Sequence, residues 1–325
     1  MLRNGFAKDL PALIDIRYHI ISLISVFIAL AIGILIGSSM APSTTTKLVE
    51  AVKRQNEKVD TVLAEYERDH AVLGRLELAL GSMIRPLVRN KIEGRRVAII
   101  QTGDQPDATR AAAEAISAAG GTVASTTTLT SVYDELSDDD VTRIRSEMPE
   151  EPTSNDPEVD LLRAVATALR QGETDAGHID GDLAVLRRER LITTDGDYGK
   201  PVSMVVIVGG TGADSDLSPE PLAARESDMI DLLTNNGAHV GVVGVEALNV
   251  ANSSLTTYRN AGIATIDCID RAIGKLDLVY ALNGEKANYG VRAAADRILP
   301  ASVEAELNAP SLAVPASSTG FGVGH

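Results

Sequence analysis

The sequence predicts an α/β domain that is preceded by an N-terminal membrane helix and a coiled-coil stalk. Three observations predict this fold class: an uncharged apolar run near the N-terminus, a long stretch in which apolar residues alternate at spacings of four and three, and two strand–loop–helix–strand patterns farther along. We therefore divide the chain into a short N-terminal segment (1–19), a transmembrane anchor (20–40), a coiled-coil helix (43–90), an α/β domain (94–300) and a disordered tail (301–325).

The first of these observations is the run 20–40, which carries no charged side chain. A helix rises about 1.5 Å per residue, so the run spans roughly 30 Å and matches the hydrocarbon core of a bilayer. A cleaved signal peptide is the alternative, because basic residues precede the run and Gly37-Ser38-Ser39 is small enough for a peptidase. The apolar part of a signal peptide is usually only about 7 to 15 residues long, so we favour an uncleaved anchor.

The basic residues that flank this run favour one orientation in the membrane. Arg17 lies three residues before it, whereas Lys47 is seven residues beyond it. Basic residues close to a membrane helix concentrate on the cytoplasmic side. We therefore expect a single-pass protein of the cell membrane with an extracytoplasmic C-terminal domain.

Small side chains recur every four residues within the anchor. They are Ser25, Ala29, Gly33 and Gly37. Such a stripe lets two helix backbones approach closely, and it predicts the face at which two membrane helices pack. The alternative is that glycine is simply common in transmembrane helices.

A seam of alternating four- and three-residue spacings follows the anchor and keeps a period of 3.5 over nearly five heptads. Its ten positions include Gln55 and Asp69, and the other eight are apolar or aromatic: Leu48, Val52, Val59, Val62, Tyr66, Leu73, Leu76 and Leu80. This period predicts a coiled coil through which the chain associates with itself, as a homodimer or a higher oligomer. An amphipathic helix lying on the C-terminal domain is the alternative.

Beyond residue 94 the pattern changes to alternating strands and helices. The first unit has strands at 96–100 and 122–128 with a helix at 108–119, and the second has strands at 202–208 and 239–243 with a helix at 225–235. Two such units predict a doubly wound, mostly parallel sheet of the Rossmann-like or flavodoxin-like kind. Further strands are predicted at 264–268 and 276–282, and further helices at 159–170 and 180–189.

Charge and cysteine content exclude several classes of function. The net charge of −15 and the pI near 4.8 argue against nucleic acid as a partner. The segment 134–160 holds eleven acidic and two basic residues, and it predicts a solvated, partly disordered insert. Because Cys268 is the single cysteine, no intramolecular disulfide is expected, and we interpret it as a small buried hydrophobe.

The segment most typical of a binding site is the candidate ligand loop Gly209, Gly210, Thr211 and Gly212, which directly follows a predicted strand. It lacks the third glycine of the dinucleotide fingerprint, so an ordinary tight turn is the favoured alternative. The five histidines have no metal-ligand spacing, and no nucleophile motif is present. We therefore expect no catalysis and no evident cofactor.

The N-terminal segment and the order of domains resemble those of a known family. The segment begins at Asp15, and its most specific residues are Arg17, His19, Ser22 and Gly33, with the strand and turn 205–210 and Tyr289-Gly290 in support. Over about residues 15–300 the chain resembles the actinobacterial copper transporter family of the MctB type. The resemblance implies a membrane-anchored envelope protein of copper efflux or homeostasis, with copper as its cargo, and it also implies a link to envelope assembly at division.

Three hypotheses about function remain open. The copper role is implied by the resemblance, although one anchor alone cannot form a pore. The coiled coil and the small-residue stripe favour an envelope or septal scaffold that recruits a cell-wall or division partner. An α/β enzyme or ligand sensor using the loop after the 202–208 strand ranks last. The expected partners are membrane lipid, further copies of the chain and a membrane or cell-wall protein.

Overall fold

The computed structural model describes residues 16–40, 42–149, 154, 156–172, 178–235 and 240–308. The chain divides into two units, Met1–Leu73 and Gly74–His325. The predicted N-terminal segment up to residue 15 and most of the predicted tail lie outside the described residues.

The first unit contains helix α1 (Ile16–Met40) and most of helix α2 (Pro42–Val88). From Ile20 to Gly37 helix α1 is long and apolar enough to cross a membrane, and its side chains there are exposed. The polar hydroxyl of Ser25 is satisfied inside the helix, because it donates to the Ile21 carbonyl oxygen at 2.8 Å. A hydroxyl bonded in this way is compatible with a hydrocarbon environment.

Helix α2 is continuous over 47 residues and runs past Pro86 to Val88. Within this chain the seam side chains from Val52 to Leu80 are exposed, by 45% at Leu80 and by 64% at Val62. Leu48 lies in the same helix, but its side chain is outside the described part of the chain. The coiled coil itself stays a prediction.

A seven-stranded sheet forms the centre of the second unit, in the order β3-β2-β1-β4-β5-β6-β7. Its strands are β1 (Arg96–Gln101), β2 (Thr122–Leu129), β3 (Ile192–Gly196), β4 (Met204–Val208), β5 (Gly241–Val245), β6 (Ala264–Ile266) and β7 (Asn288–Tyr289). Every neighbouring pair is parallel except β2 with β3, which is antiparallel. The mostly parallel sheet is therefore confirmed, whereas the finer Rossmann-like or flavodoxin-like assignment stays a prediction.

Helices cover the sheet. They are α3 (Pro106–Ala118), α4 (Asp138–Glu147), α5 (Pro157–Gln171), α6 (His178–Arg188), α7 (Pro219–Thr234), α8 (Leu255–Asn260), α9 (Ala272–Leu282) and α10 (Ala301–Asn308), with a 3-10 helix at Ser131–Glu135. Two apolar clusters form the core. One contains side chains of α5, α6 and α7, and the other contains side chains of α3 and α9 together with Val88 and Ile92.

The strand predicted at 276–282 is wrong, because these residues form most of helix α9. Leu276 to Leu282 are all buried and, apart from Asp277, apolar, so the segment resembles a buried strand in sequence. A short apolar run of this kind cannot be assigned to strand or helix from periodicity alone. Gly274 near its start lets the helix approach the Cys268 carbonyl oxygen so closely that a Cβ atom would collide with it.

The partly disordered insert predicted at 134–160 is wrong for the residues that the structure describes there. Asp138–Glu147 forms helix α4, and its acidic first turn is favourable at the positive end of a helix dipole. Ser137 caps it in a capping box with Asp140. The buried Arg145 guanidinium then meets the buried Asp160 carboxylate of α5 at 3.2 Å. Two of the acidic residues in this segment, Asp140 and Asp160, thus serve a helix cap and a buried ion pair.

The disordered tail predicted at 301–325 is also corrected at its start. Ala301–Asn308 forms helix α10, whose Val303 is buried in the core. The Glu285 carboxylate accepts the backbone N–H of Ala301 at 2.9 Å and so satisfies one of the free amides at the helix start. Residues 309–325 lie outside the described part of the chain.

Candidate functional site

The order of connections in the sheet reverses between β1 and β4. In open α/β sheets ligands bind at the carboxyl ends of strands beside such a reversal. Here the two strands remain joined after they end, because the Thr102 amide donates to the Val208 carbonyl oxygen at 2.9 Å. The candidate ligand loop, Gly209 to Gly212, begins at this point.

All four backbone amides of the candidate ligand loop are already hydrogen-bonded within the chain. In order along the loop they donate to Val245 O (3.0 Å), Ser254 Oγ (2.9 Å), Asn252 O (3.0 Å) and Asp104 Oδ1 (2.9 Å). A phosphate cradle needs free amides that converge on one anion. The geometry therefore favours the tight strand-to-loop turn over a phosphate site.

A buried polar network fills the space beneath this loop. The Glu226 Oε1 atom accepts from Thr102 Oγ1 at 2.6 Å and from Tyr258 Oη at 2.7 Å. A Cβ atom at position 209 would collide with Tyr258 Oη, Glu226 Oε1 and Ser254 Oγ, so only glycine fits there. The space beneath the loop is thus occupied by side chains of this chain.

Burial shifts the pKa values of the two titratable groups in this network. Glu226 is fully buried and its Oε2 atom has no hydrogen-bond partner in the described structure. Burial raises the pKa of the Glu226 carboxyl above its usual value, which outweighs the hydrogen bonds from Thr102 and Tyr258. Burial likewise raises the pKa of Tyr258.

A second carboxylate, Glu246, follows strand β5 and is fully buried. It pairs with the Arg292 guanidinium and accepts from Ser253 Oγ at 2.8 Å and from the Ser254 amide at 3.0 Å. Burial raises the pKa of Glu246, although the hydrogen bond from Ser253 and the charge of Arg292 act in the opposite direction. Arg292 also donates to the Ala247 carbonyl oxygen at 3.1 Å. These contacts tie the 290–297 segment to the sheet.

The described residues contain no group of three or more histidine, cysteine, aspartate or glutamate side chains placed to hold a metal ion. Cys268 is buried, as the sequence predicts, and burial together with Asp267 raises the pKa of its thiol. A buried thiol with a raised pKa is a poor source of the thiolate that binds Cu(I).

The family follows from a match over nearly the whole described chain. The family model for "Copper transport outer membrane protein, MctB" matches residues 13–300. The chain belongs to the MctB family. This confirms the resemblance found in the sequence, and the match covers α1, α2 and the seven-stranded sheet together. No curated protein matches the chain.

The two predicted association surfaces of this MctB family member lie on α1 and α2. Ser25, Ala29, Gly33 and Gly37 are exposed along α1, and a Cβ atom added at either glycine would meet no neighbouring atom within 4 Å. The seam of α2 is likewise exposed, as described above. Both surfaces are available to a partner, and association through them stays a prediction.

Sequence reasoning missed the polar residues at the carboxyl edge of the MctB family domain. Glu246 and Asp267 each directly follow a buried strand, and that position could have identified them as edge carboxylates. Glu226, Tyr258 and Arg292 carry no such local signal, because each reaches the edge from a helix or a loop distant in sequence.

Proposed function

We propose that this chain is a non-enzymatic envelope protein that α1 anchors in the cell membrane and that takes part in copper efflux or homeostasis. The family match supports the copper role, because the family is described by copper transport. The long apolar helix supports the anchor, because 18 consecutive residues from Ile20 meet the length and composition needed to span a bilayer. The α/β domain is proposed to lie on the extracytoplasmic side.

The copper role is tested by transport and by binding. Deletion of the gene should change cellular copper content under copper load, and complementation with the full chain should restore it. Titration of the detergent-extracted protein with Cu(I) and Cu(II) then separates direct binding from an indirect role. Unchanged copper content together with no binding would remove the copper role.

We propose further that the chain forms a parallel homodimer through α2. Two copies anchored in one membrane by α1 must present α2 in the same direction, so their seams meet in register. In the N-terminal part of the seam Val52 and Val59 occupy one core position of the heptad and Leu48 the other, as in two-stranded coils, whereas Val62, Leu73 and Leu80 do not follow that pattern. The exposure of the seam side chains from Val52 to Leu80 in the single chain supports the proposal.

The dimer is tested on the full chain in detergent micelles by sedimentation or light scattering. Val59→Glu and Leu73→Glu place charges in the seam and should convert dimers to monomers. Lys53→Glu and Thr61→Glu, at outward-facing heptad positions, are the matched controls and should leave the mass unchanged. A monomeric native protein, or seam variants that remain dimeric, would contradict the proposal.

An envelope or septal scaffold is the second candidate function. The observation that favours it is the combination of two exposed association surfaces with a sheet edge whose polar groups bond to one another. In this role the anchored dimer recruits a cell-wall or division protein. Pull-down of the tagged full chain should recover such a partner, and recovery of the chain alone would count against the scaffold.

A thermal-shift panel of nucleotides and sugar phosphates tests the lowest-ranked role, that of a ligand sensor.

A further inference from the structure

A small cavity opens at the carboxyl ends of β6 and β7, apart from the candidate ligand loop. Its volume is about 240 Å³, and its lining includes Leu255, Arg259, Asp267, Asn288, Tyr289 and Arg292. Pockets for drug-sized ligands are typically about 300 to 1,000 Å³, so this cavity fits a smaller molecule. Strand ends of this kind are where α/β sheets commonly bind ligands.

The floor of the cavity carries a carboxylate that is fixed in place. Asp267 accepts the amide of Val291 at 2.9 Å on one oxygen and the amide of Arg292 at 2.8 Å on the other. Gly290 lets the backbone of this segment pass close to the Asp267 carboxylate, since a Cβ atom at position 290 would collide with it. Each carboxylate oxygen can accept a further hydrogen bond, so Asp267 retains capacity for a cationic group.

The wall of the cavity carries a guanidinium that is held by carbonyl groups. Arg259 donates from Nε to the Leu255 carbonyl oxygen at 3.1 Å and from Nη1 to the Ala294 carbonyl oxygen at 3.4 Å. The other lining arginine, Arg292, is neutralised by Glu246. Among the ion pairs of the described residues Arg259 has no carboxylate partner. Its remaining donors are therefore suited to an anionic group.

We propose that this cavity binds a small zwitterion, an α-amino acid or a dipeptide. The ligand carboxylate pairs with Arg259 and the ligand ammonium pairs with Asp267. Leu255, Ala294 and Ala295 line the remaining space and accommodate a small side chain. A fixed cation and a fixed anion in one small cavity suit a molecule that carries both charges, because a simple anion would be repelled by Asp267 and a simple cation by Arg259.

The test uses the full chain in detergent micelles and saturation-transfer NMR or calorimetry. The probes are L-alanine, D-alanine and dialanine, with propionate and ethylamine as singly charged matches. We expect binding of at least one zwitterion at millimolar concentration or below and at least about tenfold weaker binding of the singly charged probes. Comparison of dialanine with alanine distinguishes a dipeptide from a free amino acid. Absence of zwitterion binding, or equal binding of propionate or ethylamine, would overturn the proposal.

Two variants connect the binding to this cavity. Arg259→Gln should weaken zwitterion binding about tenfold or more, whereas Arg259→Lys should retain part of it because the positive charge remains. Ala295→Leu should block the cavity while it leaves both charges in place. Arg110→Gln, on the exposed face of α3, is the control and should bind as the native chain does. Native-like binding by both Arg259→Gln and Ala295→Leu would place the ligand elsewhere and refute the assignment.

Discussion

Asp277 is a fully buried carboxyl whose two oxygens have no hydrogen-bond partner in the described structure. Burial, with a smaller contribution from the negative charge of Asp267, raises the pKa of Asp277 from 3.8 to about 8. The folded chain therefore keeps a proton that the unfolded chain releases. Stability from this group is fully present below about pH 4 and is lost as the pH rises towards 8, by at most roughly 1.4 kcal/mol for each pH unit.

Replacement of Asp277 by asparagine should remove this pH dependence. Asparagine is neutral at every pH, so the Asp277→Asn variant should gain stability relative to the native chain, by about 2 kcal/mol or more between pH 5 and pH 8. Chemical denaturation at both pH values measures the difference. Asp107→Asn, on the exposed surface of α3, is the control. A constant difference between Asp277→Asn and the native chain across this range would show that Asp277 does not hold a proton.

Gly290 is a second residue whose role can be isolated. Its φ of +147° is unfavourable for other residues, and a Cβ atom would also collide with Asp267. Gly290→Ala should therefore destabilise the fold by on the order of 3 kcal/mol. Gly284→Ala has a positive φ of +109° but no atom within 4 Å of its new Cβ, so it should cost only about 1 kcal/mol. Equal losses in the two variants would contradict the predicted collision.

At the scale of elements, α4 and α5 are held together by the buried pair of Arg145 and Asp160. Asp160→Ala removes the carboxylate that faces a buried guanidinium and should cost about 3 to 5 kcal/mol. Glu147→Ala breaks ion pairs that are partly exposed and should cost less than about 1 kcal/mol. Denaturant unfolding of both variants measures the contrast. A small loss for Asp160→Ala would mean that the pair contributes little to stability.

The seam of α2 contains a charge that the proposed dimer would bring face to face with its copy. In a parallel coil in register, Asp69 of one chain lies opposite Asp69 of the other. Asp69→Leu should therefore tighten association by about tenfold or more, because repulsion is replaced by apolar contact. Asp60→Leu, outside the seam, serves as the control. Sedimentation across a dilution series gives both dissociation constants, and unchanged association in Asp69→Leu would argue against this register.

The elements differ in how well the sequence predicted them, for physical reasons. Strands β1 and β4 were predictable as short apolar runs beside turn residues, β2 as a segment rich in β-branched residues after Gly120-Gly121, and α3 and α5 from their apolar residues at helical spacing. Strand β3 was not predicted because Ile192–Gly196 is a mostly exposed edge strand with one buried residue. The buried network at the sheet edge was not predicted because long-range contacts such as Thr102 with Glu226 leave no local pattern.

At the scale of the whole molecule, both apolar clusters are formed by residues of the second unit. A chain that begins at Gly74 retains every one of these buried side chains. We therefore expect it to unfold cooperatively without detergent, with a melting temperature within a few degrees of the corresponding transition in the full chain. Calorimetry of the two chains tests this expectation. A molten or aggregated product would show that the α/β domain depends on the first unit.

The last turns of α2 are embedded in the α/β domain. The Glu77 carboxylate accepts the first amide of α9, Tyr280 Oη donates to the Leu87 carbonyl oxygen at 3.5 Å, and Val88 is buried. These turns are therefore part of the folded α/β domain, and unfolding of that domain should release them at the same time.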